Sequence, residues 1–408
     1  MRVAQRVMAF IQIRLLHCGG YPTYKKLYIN KRKLNPDTKS KNICLITEST
    51  DNLIVLSLAK ALSAFNCNVD VIAFNHTRKD LQLDNLEFGL HIIQNNKHRP
   101  CTKKVGRIAK YLKSRKNAKH LQNEITKIGK KFDLIVSNMY LAHITSRKLN
   151  MPHTYFCIHS TPSAVIEDHC NHTSRILNLL KKQMYLVLIR RLYKNQNLIT
   201  VSQGIKQDIL NLGVRAKTIQ TIYNPLDFGE IQKKADAFPV EEEDYIIHVG
   251  RFSKEKRHDV LINAYKQSGI QKKLLLLGNE KTEVGVQVKQ LVKNLELQDR
   301  VVFKGFQANP FPYIKNAKMM VLSSDHEGFG MVLVEAISLN TPVISTNCIG
   351  PSEILCDKLS YCLSPVGDHG ALAENMRKAI EKPIRLESKH LEKYNARASA
   401  KQYFNLCD

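Results

Sequence analysis

The chain contains no tryptophan, no C-x-x-C pair, no apolar stretch of membrane-spanning length, and few acids for its number of bases. Each absence excludes something. The longest apolar run, Met184 to Ile189, falls far short of the roughly 20 residues that crossing a bilayer requires, so no transmembrane helix is expected. The ten cysteines, at 18, 44, 67, 101, 157, 170, 348, 356, 362 and 407, are scattered. In a chain of 408 residues this argues against a disulfide framework and for reduced, mostly buried thiols in the cytoplasm. The segment Glu167-Asp168-His169-Cys170-Asn171-His172 carries metal-ligating residue types. No second ligand group stands at a recognisable spacing, so no metal is expected, and the segment reads as a polar loop facing a cleft. There is no aromatic-interleaved basic run and no recognisable nucleic-acid module, so nucleic acid is not expected as a partner. The apolar part of Met1 to Leu16 is broken by Arg6, Gln12 and Arg14, and no small-residue cleavage site follows, unlike a secretory signal. It reads as a short basic amphipathic helix, lying in a membrane interface or packed on the protein's own surface.

The scarcity of acid leaves a formal net charge of +26, unevenly placed. Residues 1–40 hold nine Lys/Arg and one acid, and residues 97–131 hold thirteen against Glu124 alone. Residues 174–196 alternate apolar groups with Lys181-Lys182 and Arg190-Arg191. Such a first half attracts anionic lipid headgroups, phosphorylated glycolipids or other polyanions; a solvated basic face is the plainer reading.

The length suits two domains of ordinary size, and 43% hydrophobic with 24% charged residues is a globular composition. Short apolar strands alternate with helical patterns throughout, the sign of α/β folding on parallel sheets. The first such run begins at Asn42-Ile43-Cys44-Leu45-Ile46, with further strands near Val69, Leu134, Thr154, Leu198 and Thr218. The second begins at Tyr245, with strands near Leu274, Val301, Met319 and Val343. The expected organisation is a basic extension (1–40), a first domain (41–225), a linker (226–244), a second domain (245–369) and a tail (370–408).

Two segments of the second domain carry chemistry. In Ser323 to Ala336, Glu327 and Glu335 stand eight residues apart around Gly328-Phe329-Gly330, between a strand end and a helix start. Free backbone N–H groups and a helix dipole there suit a phosphate or sugar hydroxyl. A carboxylate at the mouth and another deeper suit a ligand rich in vicinal hydroxyls. The bland alternative is two solvated glutamates. In Tyr245 to Arg257, a strand runs into Gly250, then Arg251, then Lys256, which reads as a diphosphate clamp of one planar fork and one point charge.

These segments resemble the nucleotide-sugar signature of family 4 of the retaining glycosyltransferases, which has two glutamates eight apart and an Arg and a Lys at this spacing after Val-Gly. The resemblance runs from 245 to 355, and the linker Ile222 to Asp227 resembles the family's too. It implies an α/β fold with two Rossmann-like doubly wound domains facing across a cleft (GT-B) and a C-terminal helix crossing back to the first. It implies a hexosyl transfer from a nucleotide-diphosphate sugar, with a UDP-sugar expected, to a lipid-linked or lipopolysaccharide glycan, with retained anomeric configuration. The catalytic residues are then Arg251, Lys256, Glu327 and His159, the last ending a strand where the family often carries a His beside the sugar. A satisfied structural histidine is the alternative for His159. The donor side comprises Gly250, Gly328, Phe329, Gly330, Met331, Glu335 and Asn224, with Glu335 on the ribose and Glu327 on the sugar. Two side-chain cations take the role of a divalent ion, so no cofactor is expected. With the basic first half, the partners are the nucleotide sugar, a glycolipid or lipopolysaccharide acceptor and an anionic membrane, placing a bacterial cell-envelope enzyme peripherally on the cytoplasmic face of the inner membrane. Two departures stand out: Arg257 replaces a usual Gly, and the loop Glu48-Ser49-Thr50-Asp51-Asn52 lacks the family's glycines. Two other readings fit the composition: a sugar-nucleotide epimerase or phosphorylase of the same fold, or a non-catalytic polyanion-binding protein.

Overall fold

The computed structural model describes residues 40–50, 52–75, 86–93, 107–170, 175–382 and 388–407. The expectations placed on the N-terminal basic stretch, on the start of the basic run at 97–106, and on Asn171 and His172 lie outside these residues. In the first half the chain runs β1 (Lys41–Ser49), α1 (Leu53–Ser63), β2 (Cys67–Asn75), β3 (Gly89–Ile92), α2 (Arg107–Ile128), β4 (Leu134–Asn138) and α3 (Tyr140–Leu149). It continues through β5 (Thr154–Ile158), α4 (Pro162–Cys170), α5 (Arg175–Tyr193), β6 (Asn197–Thr200), α6 (Gln203–Asn211) and β7 (Thr218–Thr221). The second half runs α7 (Phe228–Ala235), β8 (Tyr245–Val249), α8 (His258–Ser268), β9 (Lys273–Leu277), α9 (Glu283–Asn294), β10 (Val301–Gly305), α10 (Phe311–Asn316) and β11 (Met319–Leu322). It ends with α11 (Met331–Ser338), β12 (Val343–Thr346), α12 (Ile349–Ile354), β13 (Leu363–Ser364), α13 (His369–Glu381) and α14 (Ala396–Phe404).

The strands form two sheets, ordered β3-β2-β1-β4-β5-β6-β7 and β10-β9-β8-β11-β12-β13. Every pairing is parallel. Parallel sheets covered on both faces need strands that are apolar throughout. Ile43 to Ile46, Leu274 to Leu276 and Met319 to Leu322 meet this, all fully buried. In each sheet the strand order reverses once, between β1 and β4 and between β8 and β11. Crevices outside the carboxyl ends of strands at such reversals are where open α/β sheets bind ligands.

The helices start where side chains can cap them. Asn52, Ser202, Asp227, Thr282 and Asp368 each accept a hydrogen bond from an N–H of the first turn. The segment 226–244, expected as linker, holds one of these helices: Asp227 caps α7, which packs on α10 and α11. The tail expected as one crossover helix divides in two. Asp368 caps α13, whose buried Leu372, Ala373 and Met376 keep it with the second sheet, packed on α8. Only α14 crosses back, lying on α1, and the chain on the way pairs Asn395 with Leu226. Glu167 to Cys170, expected as a polar loop, are the last turn of α4: Ile166 and Cys170 bury its apolar side, and His169 Nδ1 lies 2.7 Å from the Val165 carbonyl oxygen. No helix among the described residues is long and apolar enough to cross a membrane.

Candidate active site

At the reversal in the second sheet, two loops lie side by side. The β8–α8 loop carries Gly250 to Arg257, and the β11–α11 loop carries Ser323 to Gly330. Four contacts tie them together. Ser323 Oγ donates to the Lys256 carbonyl (2.9 Å), and the Asp325 N–H donates to the Glu255 carbonyl (2.8 Å). Arg257 donates from Nη1 to both oxygens of Asp325 (3.0 and 3.2 Å) and grips Asp259 with Nε and Nη2. Lys256 forms an ion pair with Glu327, which also accepts from Ser324 Oγ at 2.9 Å. Arg257 takes the left-handed conformation at φ +47°, which explains why glycine suits that place; its bonds to Asp259 first, and to Asp325, raise its already high pKa and keep it charged.

Lys256 and Glu327, expected in the same site, are therefore in contact. Arg251 is not with them: its side chain is 84% exposed and, among the described residues, pairs with Glu255 at 3.3 Å. Gly250 donates its N–H to the Leu277 carbonyl (3.0 Å), and a Cβ there would press on His248 Nε2 at 3.1 Å.

Gly330 stands at φ +88° as the residue before α11, and no side chain caps that helix. The N–H groups of Gly330, Met331 and Val332 meet no acceptor among the described residues. They are free donors at the positive end of a helix, as an anion site requires. Phe329, expected on the donor side through its backbone N–H, turns its side chain away from the crevice. It is 3% exposed and packs on Tyr223 and Tyr394 (ring centroids 5.8 and 5.2 Å), because an apolar ring beside a crowded backbone turn gains more from the core than from a polar crevice. The carboxyl of Glu335, on the second turn of α11, makes no hydrogen bond or ion pair among the described residues, and burial pushes its pKa up to about 7.

The first sheet supplies the facing half. His159 follows β5, and its Nε2 donates to Asn138 Oδ1 at 2.9 Å. The Asn138 amide is fixed in turn: its Nδ2 donates to the carbonyls of Ile46 (3.3 Å) and Val136 (3.2 Å). Two carbonyls only accept, so the orientation of the carboxamide, and with it the imidazole tautomer, is determined. The His159 Nδ1 then carries a lone pair, and it is buried with the Asn224 side chain nearby but no hydrogen bond of good geometry among the described residues. Burial lowers the imidazole pKa to about 4, against a smaller opposing pull from the buried Asn224 side chain, so the ring is neutral. Met139, next to Asn138, holds φ +75°, a strained conformation for a residue with a Cβ. The glycine-free loop after β1 is used differently from a glycine loop: Glu48 Oε1 accepts from the Leu141 N–H at 2.6 Å, at the start of α3.

The two halves touch at Gly328. A Cβ there would lie 2.3 Å from the His159 carbonyl oxygen, so only glycine fits, and the Gly328 carbonyl accepts from Ser202 Oγ at 2.7 Å. Beside it Glu353 accepts from the N–H groups of Gln203 (2.8 Å) and Gly204 (3.4 Å) and from the Tyr223 hydroxyl (2.5 Å). The sequence reading had not singled out Asn138, Ser202, Asp325 or Glu353. Asn138 offered a signal, a polar residue at the carboxyl end of an apolar parallel strand; the other three act through contacts between distant segments.

Residues 53–230 match the family described as Glycosyltransferase Family 4, and residues 229–399 the family described as Glycosyl transferases group 1. Over 219 residues the chain is 29% identical to the N-acetylgalactosamine-N,N'-diacetylbacillosaminyl-diphospho-undecaprenol 4-alpha-N-acetylgalactosaminyltransferase of Campylobacter jejuni, covering 52% of this chain and 58% of that protein. Over 199 residues it is 32% identical to the lipopolysaccharide 1,6-galactosyltransferase of Escherichia coli K12, covering 46% of this chain and 54% of that protein. The chain thus spans little more than half the length of these relatives. Among solved structures, sucrose-phosphate synthase from Thermosynechococcus elongatus matches with a TM-score of 0.71 at 22% identity, over 90% of this chain and 98% of that one. That is a likeness of fold.

The Glu335 carboxyl gives a test of which ligand the crevice takes. Hydroxyl donors favour the ionised form, so a ligand whose hydroxyls reach Glu335 lowers its pKa from about 7 and releases a proton on binding near pH 7. Calorimetry with uridine diphosphate in two buffers of different ionisation enthalpy should show that release, and Glu335→Gln should abolish it. Binding without proton release would remove Glu335 from the ribose site.

Proposed function

The chain belongs to the family 4 glycosyltransferases, and from that premise we propose that it moves a hexosyl group from a nucleotide-diphosphate sugar, a UDP-sugar first among the candidates, to a lipid-linked or lipopolysaccharide glycan with retention of the anomeric configuration. The observation that carries the reading is Lys256, held against the loop that ends in the uncapped N-terminus of α11. A cation on one loop and free N–H groups at the end of the neighbouring loop suit a diphosphate that gains charge as it leaves. In this proposal the bond from the anomeric carbon to the leaving phosphate oxygen breaks. The acceptor hydroxyl adds on the same face, and its proton passes to that phosphate oxygen. No protein nucleophile and no divalent metal are used. Lys256 exchanges Glu327 for the diphosphate, Arg251 swings in from solvent, and Glu327, released, orients the sugar. Glu335 binds the ribose. His159 Nδ1 accepts from a donor-sugar hydroxyl. The acceptor class is supported by the names of the two relatives, a diphospho-undecaprenol and a lipopolysaccharide transferase. With the +26 charge, the proposal places the enzyme peripherally on the cytoplasmic face of a bacterial inner membrane.

Three measurements test these roles. Arg251→Ala and Lys256→Ala should each lower kcat/KM by on the order of 10²-fold, as expected for losing one preorganised charge at a developing anion; near-normal turnover in both would remove the clamp. Proton NMR of the product's anomeric doublet should show the donor's configuration, and inversion would overturn the mechanism. Asn138→Asp should place a carboxylate on His159 Nε2–H and raise the imidazole pKa from about 4. A histidine with a raised pKa is protonated below it, so kcat/KM of the variant should show a further fall as pH drops through the new value, beyond the one that protonation of Glu335 imposes on both enzymes. Identical pH profiles would make His159 a structural residue.

A further inference from the structure

We propose that helix α5 docks the protein on an anionic lipid surface, its outward apolar face entering the headgroup boundary and its cations engaging lipid phosphates. The inference rests on the membrane-held acceptor proposed above and names the element that reaches the membrane. Among the described residues fifteen large hydrophobic side chains are exposed, and seven of them belong to this one helix. Ile176 (74% exposed), Leu180 (62%), Met184 (45%) and Val187 (45%) follow one another at spacings of four, four and three residues, a single stripe along the helix. Leu177 and Leu188 border it.

The stripe lies opposite the face that holds α5 to the protein. Ile189 and Tyr193 are buried, the Tyr193 hydroxyl lies 2.9 Å from His143 Nδ1, and Tyr185 packs edge-on against His169 of α4. A helix anchored by one side and apolar on the other leaves a continuous patch that a water-facing surface does not favour. α5 does not cross the bilayer: its buried residues stay in the core, and its 19 residues include five cations. At about 1.5 Å per residue it is long enough to lie along an interface instead.

Charge selects the occupant. Arg175, Lys181, Lys182, Arg190 and Arg191 are unaccompanied by any acid in the helix. Two copies of this face brought together would set cations against cations, whereas anionic headgroups neutralise them while the acyl boundary takes up the leucines. The helix also sits well for an acceptor held in a membrane, since α4, on which it packs, begins three residues after His159.

The absence of tryptophan makes the test direct, because Leu180→Trp gives the full chain one indole reporter. With vesicles of phosphatidylglycerol at low salt, the protein should sediment and the indole emission should shift to the blue; phosphatidylcholine vesicles should do neither. Leu180→Gln with Met184→Gln should weaken partitioning by about tenfold or more, with uridine diphosphate binding unchanged. Sedimentation without an emission shift would overturn the assignment to α5 while leaving the membrane reading intact. Failure to sediment at all would overturn both. A blue shift that grows with protein concentration in the absence of vesicles would overturn the lipid assignment in favour of a second copy.

Discussion

Lys256 and Glu327 neutralise each other across the two loops that end β8 and β11, with side chains only 14% and 13% exposed. A charge so shielded is costly to leave alone, so each residue holds the other, and each loop, in place. The surrounding bonds act in the same direction. The Ser323 hydroxyl and the Asp325 N–H fasten one loop to the main chain of the other, and Arg257 Nη1 closes the end on both oxygens of Asp325. The result is a cation presented beside uncapped helix N–H groups before any ligand arrives, which is what electrostatic preorganisation requires. It also means that a diphosphate must displace a carboxylate to reach Lys256. An uncharged ligand gains nothing from doing so, and the pair thereby favours anions of high charge density.

The seam between the halves makes the β11–α11 loop answer to the first sheet. Gly328 follows Glu327 directly, and its carbonyl is held by Ser202 while its Cα abuts the His159 carbonyl. Phe329 continues into an aromatic cluster with Tyr223 of the linker and Tyr394 of the crossing tail. Glu353 joins α12 to the start of α6 and to Tyr223. A displacement of the first sheet is therefore felt by the residues that frame Lys256. The neutral tautomer of His159, set by Asn138, stands at the same seam.

Most of the fold was legible in the sequence because parallel strands buried on both faces announce themselves as apolar runs, as in Leu274 to Leu277 and Met319 to Leu322. The reversal that creates the crevice was legible indirectly, through Gly-rich segments following such runs. β3 was not, since Gly89 to Ile92 is a short, half-buried edge strand with little apolar signal. The two-helix tail was read as one because the break lies in a polar stretch that no motif marks. Within the site, Lys256 and Glu327 were found by motif, but their mutual pairing depends on loops about seventy residues apart in sequence. The burial of the Phe329 ring was illegible for a related reason. Its neighbours in sequence serve backbone functions, while the direction of its ring is decided by Tyr223 and Tyr394, more than sixty residues away on either side.

The two halves also dispose of their charge differently, and this bears on what each can recruit. In the second half the cations near the crevice have acids at hand: Arg251 with Glu255, Lys256 with Glu327, Arg257 with Asp259 and Asp325. Elsewhere Lys272 pairs with Asp244, Lys304 with Glu242 and Lys315 with Asp236. Attraction there is local and short in range, exposed only when a ligand opens a pair. On α5 no ion pair forms among the described residues, so its field extends into solvent over a Debye length of about 10 Å at 0.1 M salt. A small soluble sugar nucleotide is met by the first kind of charge and a broad anionic surface by the second. Under the proposed function this division puts donor binding in a compensated crevice and surface attraction on a separate helix, so that salt should weaken the second far more than the first.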